Sequence, residues 1–262
     1  VANLNVRMEM LGETNVGMKR THNEDNFAII HEENLCIVAD GMGGHASGEV
    51  ASKMAVDALR EFFEATAKDP DATWPYKMDK QRSYEENRLV TGVKLANLRI
   101  FEAAQREPRF RGMGTTIVVV AAVREGVIVG HVGDSRVYRI RSGEIKQLTE
   151  DHSLLNDYLK MRKLTEEEIA NFPHKNVIVR ALGMKEIVKV DAHMETPLPG
   201  DIFLLCSDGL SGPVNDDDML RIVEENRGDL KAAASRLIAR ANENGGPDNI
   251  TCCLVRWSPP TN

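Results

Sequence analysis

Short segments rich in β-branched and apolar residues recur along the chain, at residues 27–30, 35–39, 115–123, 127–132, 136–140, 202–206 and 250–257. Several end in turns of only three residues: Glu32-Glu33-Asn34, Arg124-Glu125-Gly126 and Arg141-Ser142-Gly143. A parallel pair needs a crossover of about a dozen residues or more, so strands joined this closely pair antiparallel. The chain is therefore expected to be built on antiparallel sheets.

Helical patterns accompany the strands. Val50, Ala51, Met54, Ala55, Ala58, Leu59 and Phe62 recur at helical spacing, with Lys53, Asp57 and Glu61 off the stripe. Asp229 is placed to cap a second stripe of Leu230, Ala233, Ala234, Leu237, Ile238 and Ala241. Thr165 and Glu168 fit a capping box before Ile169. The run Asp216-Asp217-Asp218 reads as the negatively charged start of a helix over 219–225 rather than as a metal site. Hairpins and amphipathic helices in one chain imply sheets inside and helices outside, an α+β arrangement.

Residues 68–86, with Pro70 and Pro75, read as a polar loop between helices. Residues 151–176 are charged and weakly apolar, an excursion above the core. No repeat or linker divides the chain, so residues 1–262 are expected to form a single domain. With 42% hydrophobic residues there is enough apolar surface for a sizeable core. The net charge of −7 argues against nucleic-acid binding, which recruits Lys and Arg. No apolar run approaches the roughly 20 residues of a membrane-spanning helix. The start of the chain lacks a signal-peptide pattern, which makes cytoplasm the expected location and leaves an anchor outside these residues open. Cys36, Cys206, Cys252 and Cys253 lie in strand-like runs without CxxC spacing, and are expected to be buried reduced thiols.

The chemistry is carried by acids beside glycines at strand ends. Residues 35–39 run into Asp40-Gly41, 127–132 into Gly133-Asp134, and 202–206 into Ser207-Asp208-Gly209. Asp248 precedes the last strand and Glu24-Asp25 the first. One such pair is an ordinary turn former. Several acids on one sheet edge repel unless a cation sits among them. Carboxylate, carbonyl and water oxygens are the ligands preferred by Mg2+ and Mn2+.

The motifs Arg20-Thr21-His22-Asn23-Glu24-Asp25, Val38-Ala39-Asp40-Gly41-Met42-Gly43-Gly44-His45, Gly114-Thr115-Thr116, Gly133-Asp134-Ser135-Arg136, Ser207-Asp208-Gly209 and Gly246-Pro247-Asp248-Asn249 occur in that order. Together they resemble the metal-dependent protein phosphatases of the type 2C class, bacterial branch, over residues 12–257. Each motif is weak alone, and the ordered set is specific. The resemblance implies a four-layer α/β/β/α sandwich of two packed antiparallel sheets flanked by helices. It implies hydrolysis of phosphoserine and phosphothreonine in proteins with two or three Mn2+ or Mg2+ ions per subunit and no phosphoenzyme. Two cations about 3.5–4 Å apart acidify a water and offset charge on the phosphoryl oxygens.

The resemblance also assigns residues. Asp40 would bridge two metals, helped by the Gly41 carbonyl. Asp208 and Asp248 would complete the first site. Glu24 would serve the second metal and Asp25 would order its waters. Asp134 with Asp208 matches a third-metal position. Arg20 would bind the substrate phosphate as a planar fork. Asp40, Asp208 and His45 are the expected catalytic residues. His45 is a candidate general acid, since Met42 stands where some relatives carry the His; a water or a purely structural role for His45 remain alternatives. Ser135 and Arg136 are expected to support the turn around Asp134. Thr115 and Thr116 are expected to fix carboxylate geometry through their hydroxyls. Residues 151–176 correspond to the family's flap, where Asn176 replaces a Ser that holds the third metal in some relatives. The expected partners are phosphorylated proteins, among them serine/threonine kinases and their substrates, met by a monomer. Two alternatives stand beside this reading: a phosphatase acting on an anti-sigma-factor antagonist, for which no docking region is visible, and a phosphatase-like binding module, which the full set of acids disfavours.

Overall fold

The computed structural model describes residues 7–43, 47–69, 71–124, 126–173 and 177–258. The chain opens with β1 (Arg7–Asn15), β2 (Asp25–Ile30) and β3 (Leu35–Met42), followed by the long helices α1 (Ser47–Lys68) and α2 (Tyr84–Arg106). A run of strands follows: β4 (Gly114–Thr115), β5 (Ile117–Val123), β6 (Gly126–Val132), β7 (Arg136–Arg141) and β8 (Glu144–Gln147). Two short helices, α3 (Leu154–Met161) and α4 (Glu166–Ala170), lie in the excursion before β9 (Asp191–Glu195). The chain closes with β10 (Ile202–Cys206), α5 (Asp208–Ser211), α6 (Asp216–Glu225), α7 (Leu230–Glu243) and β11 (Ile250–Ser258).

The strands form two antiparallel sheets. One runs β1-β11-β10-β7-β8, the other β2-β3-β5-β6-β9 with β4 paired to β3. Alternation along the strands sorts the core into three layers. In β5, Val118, Val120 and Ala122 face the other sheet, while Ile117, Val119, Ala121 and Val123 pack under α1 and α2. In β10, Phe203 and Leu205 fill the space between sheets, and Ile202, Leu204 and Cys206 pack under α6 and α7. Strands buried on both faces read as continuous apolar runs, which is why these were visible in the sequence. The result is the four-layer α/β/β/α sandwich. Burying each Val, Leu or Ile side chain contributes about 1.5–3 kcal/mol before entropy is counted.

Helix starts follow their capping chemistry. Ser83 accepts from the Glu86 N–H while the Glu86 carboxylate accepts from the Ser83 N–H, and Thr165 with Glu168 repeats this box. Asp229 caps α7, and Asn215 caps α6 with Asp216, Asp217 and Asp218 in its first turn. All four cysteines are free and buried. Among the described residues no helix is long and apolar enough to cross a membrane.

Two sequence expectations need correcting here. Asp40-Gly41 does not follow a strand end: β3 continues through both to Met42. The segment 115–123 is not one strand, because Thr116 breaks the ladder between β4 and β5 to bond with Asp40.

Candidate active site

The acids singled out in the sequence come from both sheets and meet at one place. Asp25 opens β2 and lies directly opposite Asp40 in the β2–β3 pairing. Asp134 sits in the turn after β6, Asp208 starts α5 just beyond β10, and Asp248 precedes β11. Glu24 is tied in through its backbone, whose carbonyl accepts the Gly41 N–H at 3.1 Å.

Backbone and hydroxyl groups fix this arrangement. The Asp40 N–H donates to Thr116 Oγ1 at 3.1 Å, and the Asp40 carbonyl accepts from Thr115 Oγ1 at 2.9 Å and from the Thr116 N–H at 2.8 Å. The threonine hydroxyls thus hold the backbone of Asp40, not a carboxylate as the sequence suggested. Thr116 Oγ1 also shares a hydrogen bond of 2.7 Å with Ser135 Oγ beside Asp134. Gly133 has φ +110°, and a Cβ there would lie 2.7 Å from Thr116 Cβ, so the turn presenting Asp134 requires glycine. Gly48 packs against the Glu24 carboxylate, since a Cβ would sit 2.7 Å from Glu24 Oε1.

Asp25 is 5% exposed. Its Oδ2 accepts from Thr251 Oγ1 at 2.6 Å and Ser207 Oγ at 2.8 Å. Its Oδ1 is buried without a partner, as is Oδ1 of Asp134. Burial, and then the charges of neighbouring acids, push Asp25 and Asp134 up to about 7. Asp40 is driven well above the usual carboxylate range by burial and by Asp25, Asp208, Asp134 and Asp248. Burial and Asp248 raise Asp208; burial raises Glu24. Two orphaned buried carboxylate oxygens among acids that resist ionisation are what a divalent-cation site needs, and the oxygen-only donor set fits Mg2+ or Mn2+. The residues present therefore fit the metals the sequence implied.

Arg20 lies at the rim, its Nη2 2.8 Å from Asp248 Oδ2. A cleft of about 490 Å³ opens beside the acids, lined in part by Asp134, Arg136, Asp151, Ser153, Asp208 and Asp248. Arg136 makes a two-pronged pair with Asp151, at 3.0 and 2.7 Å, and donates to Tyr138 Oη at 2.8 Å. The thiols take no part: burial pushes Cys206 up to about 12 and raises Cys252 and Cys253 further from ionisation. His45 and Asn176 lie outside the described residues.

Sequence reasoning gave no role to Ser207 and Asn249, although both stand in the quoted motifs, and passed over Thr251, which with Ser207 holds Asp25. The Asn249 side chain accepts the Glu24 N–H at 2.8 Å and donates to the carbonyls of Val16 at 2.9 Å and His22 at 2.8 Å. A polar side chain at 5% exposure is the available signal, and it needs the fold to be seen. Also unforeseen is a group of two buried histidines, His131 and His152, with the half-buried Asp191, whose nearest ligand-type atoms lie within 4.8 Å of one another. Its two imidazoles stack at 4.6 Å and 14°, so their in-plane lone pairs run parallel instead of converging on an ion. Arg180 Nη1 already stands 3.1 Å from Asp191 Oδ2, filling the cationic position. This group is a hydrogen-bonded network rather than a metal centre.

Comparison with known proteins agrees with this geometry. The family model described as protein phosphatase 2C matches residues 18–254. The serine/threonine phosphatase stp of Listeria welshimeri is 37% identical over 249 residues, covering 92% of this chain and 93% of that protein. The crystal structure of the Mycobacterium tuberculosis serine/threonine phosphatase PstP/Ppp superposes with a TM-score of 0.83 at 32% identity, covering 97% of this chain and 99% of that one. The catalytic domain of PstP in complex with two manganese ions gives a TM-score of 0.78 at 32% identity, with the same coverage of 97% and 99%.

Proposed function

The chain belongs to the protein phosphatase 2C family, and from that premise we propose how its acidic centre hydrolyses phosphoserine and phosphothreonine in proteins. It is a metal-dependent serine/threonine protein phosphatase of the bacterial type. The observation that carries the reading of the site is the meeting of Glu24, Asp25, Asp40, Asp134, Asp208 and Asp248 around two buried carboxylate oxygens without partners.

These six acids, with the Gly41 carbonyl, would hold two or three Mn2+ or Mg2+ ions. When bound, the cations supply an acidified water for in-line attack on phosphorus and offset the charge on the phosphoryl oxygens. The protein's part is placement. Thr115 and Thr116 lock the backbone of Asp40, while Ser207 and Thr251 turn one oxygen of Asp25 away and leave the other free. Arg20, half exposed at the rim and presenting a planar fork, would take the substrate phosphate. His45 is our candidate for protonating the departing alkoxide, and Asn176 for an oxygen ligand near Asp134.

We read the two sheets and their helices as one catalytic domain, with residues 151–176 as a flap. Asp151, Ser153 and Leu155 line the cleft, which supports a flap that meets the substrate. We place the substrates among the products of bacterial-type serine/threonine kinases and propose a monomer working in the cytoplasm. The test is hydrolysis of para-nitrophenyl phosphate and of a phosphothreonine peptide with and without Mn2+. Turnover that needs the metal and vanishes in Asp208→Asn is expected; peptide binding with no turnover in ample Mn2+ would reject the reading.

A further inference from the structure

One buried polar cluster has no role in the chemistry above, yet it touches the turn that presents Asp134. His152 grips Gly133 twice. Its backbone N–H donates to the Gly133 carbonyl at 2.9 Å, and its ring Nδ1 accepts the Gly133 N–H at 2.9 Å. Because Nδ1 accepts, the ring proton is on Nε2, which faces Asp191 Oδ2 at 2.9 Å and lies 2.8 Å from Arg180 Nη1. Burial, which pushes His152 down to about 4, keeps the ring in this neutral form. Arg180 Nη1 donates to the same Asp191 oxygen at 3.1 Å and to the Lys189 carbonyl at 3.3 Å.

The same residue anchors the segment that returns from the excursion. The His152 carbonyl accepts the Val179 N–H at 2.9 Å, and the Leu154 N–H donates to the Val177 carbonyl at 2.9 Å. On its other side, Gly133 packs against Thr116, which holds the backbone of Asp40. One ring therefore sits between the return segment, residues 177–180, and the backbone that aims Asp134. If the return segment detaches, Arg180 leaves both Asp191 and the ring, the His152 carbonyl loses the Val179 N–H, and the ring that accepts the Gly133 N–H is held on its outer side by Asp191 alone.

We propose that His152 is a positioning residue that couples the 152–154 and 177–179 pairing to the Asp134 carboxylate, so that cation binding at Asp134 and closure of the return segment favour one another. The proposal rests on reading Asp134 as a cation ligand. Coupling of this kind is reciprocal, since each event must change the other by the same factor.

Two substitutions separate the two halves of the link. In His152→Asn the amide oxygen can take the place of Nδ1 and keep the Gly133 N–H satisfied, but the side chain ends short of Asp191. In His152→Gln the amide can reach Asp191 while Gly133 loses its acceptor. The full chain is titrated with Mn2+ by calorimetry, and backbone amide exchange is followed with and without Mn2+. In the unaltered protein Mn2+ is expected to slow exchange at Val179 and Leu154 by about fivefold or more. His152→Gln should weaken the weakest Mn2+ site by about tenfold or more, in line with the loss of an outer-shell contact. His152→Asn should keep that site while Mn2+ no longer slows exchange at Val179. Exchange at Val179 and Leu154 that ignores Mn2+ in the unaltered protein overturns the coupling, as do two variants that both behave like it. Asp134→Asn separates this from the premise. Loss of the weakest site in that variant, with exchange insensitive to Mn2+ in the unaltered chain, sinks the coupling alone. Every site surviving Asp134→Asn sinks the ligand assignment and the coupling with it.

Discussion

Asp25 and Asp40 stand directly opposite each other across β2 and β3, two acids paired where like charges destabilise a sheet. In the metal-free protein the conflict is relieved by protonation, which is why Asp25 is held at about 7 by burial and by neighbouring charge. Asp134 is held at about 7 for the same reasons. An unfolded Asp titrates near ~3.9, so between about pH 4 and 7 the folded chain binds more protons than the unfolded one. Stability from these groups is therefore complete below the unfolded value and is lost as pH rises through about 7. Buried histidines such as His152, pushed down to about 4, work in the opposite direction. Comparing each pH with and without Mn2+ cancels that opposing contribution. The rise in thermal midpoint caused by Mn2+ is expected to grow steadily from pH 6 to pH 8. A rise that is constant or shrinks over that interval would show that these acids do not hold the metal.

Arg20 is bound to Asp248 at 2.8 Å yet 52% exposed, so it neutralises an acid without being built into the core. An exposed pair of this kind contributes at most about 1 kcal/mol to stability. The role we propose for it is phosphate binding. Arg20→Ala is expected to raise KM for a phosphopeptide about tenfold, equivalent to roughly 1.4 kcal/mol. Arg20→Lys should fall between, because an ammonium cannot make the two-pronged contact. Mn2+ affinity should hold steady or improve slightly as a positive charge leaves the rim. Steady-state kinetics with calorimetric Mn2+ titration reads both; an unchanged KM, or a Mn2+ site weakened tenfold, would remove Arg20 from the phosphate role.

How much of this was legible in the sequence depended on how each feature announces itself. Strands buried on both faces, such as β5 and β10, are continuous apolar runs and were found. β1 alternates Met8 and Met10 with Glu9, residues of modest β-preference, and was missed. β9, Asp191–Glu195, alternates Asp191, His193 and Glu195 with Ala192 and Met194, but a run of five with only two apolar residues, neither β-branched nor aromatic, is too weak to mark a strand. The body of α2 went unread although Leu89, Val93, Ala96 and Ile100 line its buried face. The acids were legible as a repeated Asp-Gly pattern and by family resemblance. Their meeting was legible only through the family resemblance, because it requires β3 and β11, some two hundred residues apart, to sit in different sheets with a common end. The groups that restrain them act through backbone atoms and hydroxyls, as Thr115, Thr116 and Thr251 do, and such roles leave no mark on composition.

The backbone at Gly41 and Gly48 tolerates no side chain. A Cβ at Gly41 would overlap the Gly48 carbonyl oxygen, and one at Gly48 would lie 2.7 Å from Glu24 Oε1. At Gly41 every close contact is with backbone, so backbone must shift there, whereas at Gly48 the nearest atoms belong to the end of the Glu24 side chain. Gly41→Ala is expected to destabilise the metal-free protein by about 1–3 kcal/mol in urea unfolding, the usual cost of overpacking. It should also abolish Mn2+-dependent turnover, because the shift moves the Gly41 carbonyl and Glu24 together. Gly48→Ala meets the Glu24 carboxylate first and the Gly41 backbone at 2.9 Å, and should weaken Mn2+ binding with a smaller loss of stability. Full turnover in Gly41→Ala would mean that neither the carbonyl nor Glu24 matters to the metals.

Asn249 reaches from the start of β11 to the segment that carries Arg20 and Glu24. Its side chain satisfies the Glu24 N–H and the carbonyls of Val16 and His22, all within 2.9 Å. Asn249→Ala leaves three backbone groups without their partner, and leaving buried ones unsatisfied costs about 1–3 kcal/mol each where water cannot enter. The rim segment lies partly in solvent, so a total loss near 3 kcal/mol is expected in urea unfolding. The functional effect follows from what the segment carries. KM should rise because Arg20 is no longer held at the rim, and Mn2+ should bind more weakly because Glu24 is displaced. Thr251→Val provides the contrast: it removes one hydroxyl from Asp25 Oδ2 and should weaken Mn2+ binding while leaving KM nearly unchanged. If Asn249→Ala loses stability but retains Mn2+ affinity and KM within twofold, the segment is held in place by something other than Asn249, and its contacts serve folding alone.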